Sequence, residues 1–439
     1  MAITGVGKSS SATTVTGAAS SNTAAMAMVT TLFFMWGFLT CLNDILIPHL
    51  KAIFDLNYTQ AMLVQFVFFS AYFVFALPSG KIVERIGYQR TMVVGLVTAA
   101  VGAVLFIPAA SVPSFPFFLT AYVILAAGIT VLQVSANPYV SVLGRPETAS
   151  SRLNLTQAFN SLGTTVAPFL GARYILSAAP LAITAVRKLP PEALQAYRVH
   201  EASSVKLPYL GLTLTLLALA VVIGLFKLPR ISTGPDLTES EDANTKEAVR
   251  LWRQSHLLLG VVAIFLYVGA EVSIGSFLVN YLSQGDIGNI TVQVAAKYVS
   301  LYWLGAMVGR FIGSAVLQKA HPGMVLGTVA LVAFLLVGTS MLSFGHLAMW
   351  SILLVGLFNS VMFPTIFTLG IAGLGPLTGE GSGLLIMAIV GGAIIPEIQG
   401  AIADAIGIHH AFVLPLICYV YIAFYGFRGS KPRSMAVAA

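Results

Sequence analysis

Twelve long apolar runs, separated by short polar breaks, dominate this chain. They fall at about 26–48, 61–82, 90–111, 115–142, 153–178 and 205–228, then at 255–283, 294–317, 323–343, 346–373, 381–405 and 409–428. A helix needs roughly 20 predominantly apolar residues to cross a bilayer, so each run is long enough for one crossing. Several contain Gly or Pro, which membrane helices tolerate because neighbouring helices re-satisfy the freed backbone groups. Of the 439 residues, 57% are hydrophobic and 9% are charged, against about 25% charged in a soluble globular protein. The 16 acids and 23 bases cannot cover a water-soluble body of this size. The expectation is an all-α integral membrane protein, and a soluble enzyme is excluded. Cys41 and Cys418 both lie in apolar runs, which leaves no disulfide framework and no multi-cysteine metal site.

The runs divide into two sets of six. Residues 26–228 form the first expected bundle and 255–428 the second, joined by a polar linker at 229–254 within the charged stretch Lys227 to Arg253. Residues 1–25, rich in Ser, Thr, Ala and Gly, read as a flexible tail, with a second tail at 429–439. The net charge of +7 is a topological signal: with both termini in the cytoplasm, 16 of the 23 bases fall on inside segments. Five of the other seven surround the long fifth loop, where the positive-inside rule is weaker. A nucleic-acid partner is therefore not implied.

The halves echo one another. Asp44 answers to Glu271 at an offset of 227, and the G-x4-R of Gly80 and Arg85 to that of Gly305 and Arg310 at 225. The P-x5-G of Pro138 and Gly144 returns at Pro364 and Gly370 after 226, and the G-x4-P of Gly163 and Pro168 at Gly391 and Pro396 after 228. Four pairs in one order at nearly constant offset imply two parallel six-helix repeats, whose interface at the membrane midplane is where a binding site belongs.

Polar side chains in hydrocarbon are costly and usually face a cavity, so they are the candidates. Asp44 is a proton-carrier candidate, because an ionised carboxylate is expensive inside an apolar helix; the plainer reading is a solvated acid near a helix end. Glu271 is either a second proton site or the partner of a base such as Arg310. Gln133 and Asn137 are four apart on one helix face, and Gln157 and Asn160 three apart on the next run. Amides so placed can converge on sugar hydroxyls, or bond between helices. Asn280 and Asn359 are further amide candidates. Trp36, Tyr267, Trp303 and Phe363 are aromatics that can lie flat against a sugar ring, although packing is the commoner use. The loop Gly80 to Arg90 carries Gly80, Glu84, Arg85, Gly87 and Arg90, an acid and bases suited to an ion-pair latch between helix ends, with Arg310 as its counterpart in the second half.

Other signals are weaker. AITGVGKS at Ala2 to Ser9 matches a loose phosphate-loop pattern without the preceding strand that the motif needs. His409 and His410 project differently on a helix and read as a loop end, so no metal is expected. Glu397 is left open between gating, pairing and exposure to water. With no HExxH zinc motif and no soluble catalytic domain, an enzyme is not expected.

At WGF…LNDILIPHLK, ANPYVSVLG, RLNLTQAFNSLG and FPTIFTLGI the sequence resembles the fucose–galactose–glucose:proton symporter family of the major facilitator superfamily, from about Phe33 to Phe427. The resemblance implies a twelve-helix sugar carrier of the bacterial inner membrane that works by alternating access; no cofactor beyond a proton gradient is expected, and a monomer is the expected state, which the sequence itself does not fix. It places sugar contact and proton linkage on Asn43 and Asp44, and sugar hydrogen bonds on Gln157 and Asn160. Fucose members carry a glutamate where this chain has Gln133, and a tyrosine where it has Phe363. The run around Glu271 is closer to the glucose/galactose members. The expected activity is proton-coupled import of a hexose, glucose or galactose in type. An uncoupled facilitator is the alternative that Gln133 raises, and L-fucose, N-acetylhexosamine and mannose remain open as substrates.

Overall fold

The computed structural model describes residues 19–54, 58–111, 114–174, 189–203, 206–229 and 251–432. Among them every regular element is helical, as a lipid environment requires of a chain whose backbone groups must be satisfied within each segment. The amino-terminal half comprises α1 (Ala19–Phe54), α2 (Tyr58–Ser111), α3 (Phe115–Val142), α4 (Ala149–Tyr174), α5 (Pro191–Ser203) and α6 (Lys206–Leu225). The carboxy-terminal half comprises α7 (Ser255–Leu282), α8 (Val292–Val316), α9 (Pro322–Leu342), α10 (Gly345–Asn359), α11 (Met362–Gly370), α12 (Thr378–Met387), α13 (Gly391–Ile406) and α14 (Val413–Phe424).

Ten of the described segments are long and apolar enough to cross a membrane. One of them, Phe66–Ser111, is 46 residues long and holds two crossings, because Gly87 at φ 79° and ψ 166° breaks α2 between them. That positive φ favours a residue without a Cβ. With α4, whose polar first turns lower its hydropathy, the described crossings match the twelve expected runs. The differences are local. The fifth loop contains the helix α5, which no apolar period announced. The tenth run is interrupted at Ser360 and Val361 between α10 and α11, and the eleventh by a 3-10 turn at Ala388–Val390 between α12 and α13. The phosphate-loop-like Ala2 to Ser9 and most of the linker lie outside the described residues.

The outer surface carries exposed apolar side chains, and a few polar side chains are buried within a largely apolar core. Leu214, Val221, Leu225 and Leu342 are largely exposed, while Gln133, Asn137, Asn154, Asn359 and Gln399 are buried. That arrangement suits lipid as solvent. Small residues bring the helices together: a Cβ on Gly163 would strike the Phe34 carbonyl, which locks α4 to α1, and Gly391 meets Phe265 in the same way between α13 and α7. Arg152 closes the end of α3. Its Nε donates to the Val140 carbonyl at 3.1 Å, Nη2 to Ser141 at 2.6 Å and Nη1 to Arg145 at 2.8 Å, so it serves the last-turn carbonyls that lack helix partners. An arginine read from sequence as an orientation charge thus also fixes α4 against α3.

The two halves are packed together at the end that carries residues 79–84, 150–154 and 378–383. A Cβ on Gly80 would lie 2.9 Å from the Gly379 carbonyl, and one on Gly383 2.9 Å from that of Ala76. Ser150 and Thr368 hydroxyls are 2.6 Å apart. Ser151 Oγ donates to the Ser314 carbonyl at 2.7 Å, and Ser314 Oγ returns to Ser151 at 3.1 Å.

Candidate functional site in the cleft between the halves

In the first half the site is built on α3, α4 and the first arm of α2. Gln133 Nε2 donates to the Tyr72 hydroxyl at 2.6 Å, and Gln157 Nε2 to Asn137 Oδ1 at 3.4 Å. Gln133, Asn137 and Gln157 are 2%, 0% and 5% exposed, yet Gln133 Oε1 and Asn137 Nδ2 have no protein partner. A buried amide atom without a hydrogen bond costs about 1–3 kcal/mol, so an acceptor and a donor are left for something else to satisfy. Asn160, one turn beyond Gln157, donates through Nδ2 to the Phe33 carbonyl at 2.9 Å, tying α4 to α1 and leaving its Oδ1 open to a further donor. Trp36 is buried beside Phe33, their ring centres 5.4 Å apart. Phe68 stacks on Tyr122 and meets Tyr72 edge-on, which holds the tyrosine against Gln133. Asn43 and Asp44 are on α1, which continues to Phe54, so Asp44 is well inside the helix rather than near its end; their side chains lie outside the described ones.

The second half uses its polar groups differently. Tyr267 donates to Glu271 Oε1 at 2.8 Å, and Arg310 Nη2 lies 4.0 Å from the same oxygen. Arg310 Nε donates to the Ser360 carbonyl at 3.3 Å, and Nη1 crosses to Ser161 on α4. Asn359 is fully engaged: its Nδ2 donates to the Tyr302 hydroxyl at 2.8 Å and its Oδ1 accepts from Tyr419 at 2.7 Å. Phe363 is buried and stacked on Phe367. Tyr267 is buried beside Glu271, whereas Trp303 is exposed on the outer side of α8 and Asn280 is exposed near the end of α7. These two stand apart from the amide cluster. Arg310 differs from its repeat partner: Arg85 is exposed on the loop side of α2, while Arg310 is drawn between the halves.

At the packed end, Glu84 Oε1 accepts from the Glu380 backbone N–H at 3.1 Å. Its carboxylate thereby meets the first turn of α12, where a negative charge complements the helix dipole. Arg85 and Arg90 are exposed, and Gly80 and Gly87 serve packing and the break. His409 follows the Gly407 break after α13 and is buried, with Nε2 donating to the Met341 carbonyl at 2.8 Å and Nδ1 3.2 Å from the Tyr281 hydroxyl, so this loop end also knits α7, α9 and the last crossing. Glu397 is exposed. Among the described residues no group of three His, Cys, Asp or Glu gathers to hold a metal.

Sequence reasoning passed over Tyr72, Tyr302, Tyr419, Ser161 and Gln399. A tyrosine hydroxyl leaves no periodic signature in an apolar run. Serine is equally at home in helix packing. Gln399 is fully buried with both amide atoms unpaired, and it sits in a run already noticed for its proline and glutamate.

Two helical bundles packed together at one end, with buried polar side chains on both halves, define a membrane carrier. The chain belongs to the Major Facilitator Superfamily, whose sequence pattern matches residues 25–396. It is 55% identical over 408 residues to a glucose/galactose transporter of Brucella abortus biovar 1 (strain 9-941), with 93% of this chain and 94% of that one covered. It is 35% identical over 398 residues to the L-fucose-proton symporter of Escherichia coli K12, covering 90% and 91% of the two chains. The crystal structure of FucP, a Major Facilitator Superfamily transporter, in the outward conformation superposes with a TM-score of 0.86 at 34% identity, over 92% of this chain and 98% of that one.

Proposed function

We infer that this protein is a proton-coupled sugar symporter that imports a hexose of the glucose/galactose type by alternating access across the bacterial inner membrane, with both termini in the cytoplasm. The observation that carries the reading is the amide cluster of Gln133, Asn137, Gln157 and Asn160, in which a buried acceptor and a buried donor are left without protein partners. A sugar hydroxyl is both donor and acceptor and can satisfy either. The likeness to a glucose/galactose transporter supports a hexose as the substrate. The packed end is then the cytoplasmic one.

Asp44 takes a proton from the outside and loses its charge, so the loaded carrier can reorient. Moving an elementary charge through the membrane potential is worth about 2.3 kcal/mol per 100 mV, which is the source of uphill import. In proteoliposomes, labelled glucose or galactose will accumulate above equilibrium only with an inward proton gradient, and sugar will make a lightly buffered medium more alkaline. Asp44→Asn will retain sugar exchange and lose accumulation; accumulation at the normal level in that variant rejects Asp44 as the carrier. Gln133, which cannot titrate, favours a second reading, an uncoupled facilitator. Sugar uptake without alkalinisation would establish it.

A further inference from the structure

Arg310 bonds to both halves at once. It touches Glu271 and Ser360 in its own half and Ser161 across the cleft. Among the described residues, the other polar contacts between α4 and the second half are uncharged: Ser150 with Thr368, Ser151 with Ser314, and Thr165 Oγ1 with Met307 Sδ at 3.7 Å. Arg310 alone in that seam carries a charge, and the group that balances it is an acid able to bind a proton.

Resting on the symport reading above, we propose that Arg310 makes the contact between the halves depend on the charge of Glu271: ionised Glu271 holds Arg310 in place against Ser161, and protonation of Glu271 loosens that contact so that the cytoplasmic seal can part. With Glu271 ionised, the pair is neutral overall and both members are mostly buried, 14% and 15% exposed at the side chain. Adding a proton leaves a guanidinium, 15% exposed at its side chain, without its counter-charge between packed helices. A buried charge without a partner is strongly disfavoured, and the relief available to Arg310 is water, which enters when α4 and α8 separate. Ser161 cannot balance the charge; it only accepts the hydrogen bond. The groups that face Glu271 are Tyr267 on its own helix, Arg310 and Tyr302 from α8 and Tyr419 from α14. Glu397 and Asp404 on α13 and His346 on α10 are exposed. Among these described groups, Glu271 is the carboxylate within reach of Arg310. The role differs from that of Asp44, since it requires only that a proton bind and leave Glu271 while sugar is carried, not that Glu271 hold the transported proton.

The test reads the seam directly. With Cys41 and Cys418 replaced by Ala, spin labels at R145C and K319C sit on exposed positions at the packed end of opposite halves. Pulsed electron resonance on the full chain in nanodiscs then measures the fraction of molecules with the ends apart. Lowering the pH from 8 to 5.5 is expected to raise that fraction at least threefold. Glu271→Gln should hold it at the high value at both pH values. Ser161→Ala, which leaves the Glu271 pair intact and guards against a folding failure in the first variant, should raise the fraction at pH 8 and shrink the response to below twofold. A pH response of normal size in Glu271→Gln, or in Ser161→Ala, overturns the proposal. Asp44→Asn separates it from the symport reading: that variant should lose accumulation and keep the pH response of the seam. Absence of sugar-driven alkalinisation in the unaltered chain would defeat symport while leaving the seam measurement to stand or fall alone.

Discussion

The amide cluster on α3 and α4 and the charged network on α7, α8, α10 and α14 are both buried and both polar, but they differ in what remains unsatisfied. Gln133 and Asn137 each keep an amide atom without a protein partner. Glu271, Arg310 and Asn359 bond to neighbours within the protein, with both ends of Asn359 held by tyrosine hydroxyls. A group that is open in the empty protein has hydrogen-bonding capacity for a ligand. A group already bonded holds the fold and transmits a change in charge. The two regions thus divide recognition from mechanics, although the repeat in the sequence relates the halves that carry them.

Substitutions can break that division. Arg310→Ala strands Glu271, and loss of one member of a buried pair costs about 3–5 kcal/mol; a large drop in thermal midpoint together with loss of transport is expected, with partial recovery in the double variant that also carries Glu271→Gln. Gln133→Ala and Asn137→Ala should act mainly on binding. Each removes a hydrogen bond worth about 1–3 kcal/mol once a hydroxyl occupies it, so hexose affinity should fall roughly 5- to 150-fold, with a smaller loss of thermal midpoint because Tyr72 or Gln157 loses its partner. Asn359→Ala should show the opposite pattern, a stability loss of about 1–3 kcal/mol from two stranded tyrosine hydroxyls with a smaller change in affinity. If Asn359→Ala weakens sugar binding more than Gln133→Ala does, the division fails. The smallest effect belongs to Glu84→Gln. A carboxylate at a helix start contributes about 0.3–1 kcal/mol, so the ratio of outward- to inward-open molecules should shift by about two- to fivefold toward inward-open, measured with the same spin-label pair.

Much of this was legible beforehand. Apolar length alone located the crossings, because a bilayer accepts little except helices. The i, i+4 spacing of Gln133 and Asn137 and the i, i+3 spacing of Gln157 and Asn160 follow from helix geometry, so their shared faces could be read from numbering. Arg310 was harder. Its position in the repeat matched it with Arg85, a loop residue, whereas its side chain enters the seam. Asn359 looked identical in sequence to a ligand-binding amide, and only its two tyrosine neighbours reveal it as tied.

The sequence by itself determined the solvent, the number of crossings and the helical faces that carry polar groups, since those depend on composition and on the period of a single helix. Which amides stay open, which acid meets which base, and which end of the cleft is shut depend on contacts between residues as far apart as Glu84 and Glu380 or Ser161 and Arg310. Those pairings arise only when one helix packs against another, because a helix's own periodicity says which way a side chain points but not what it will meet.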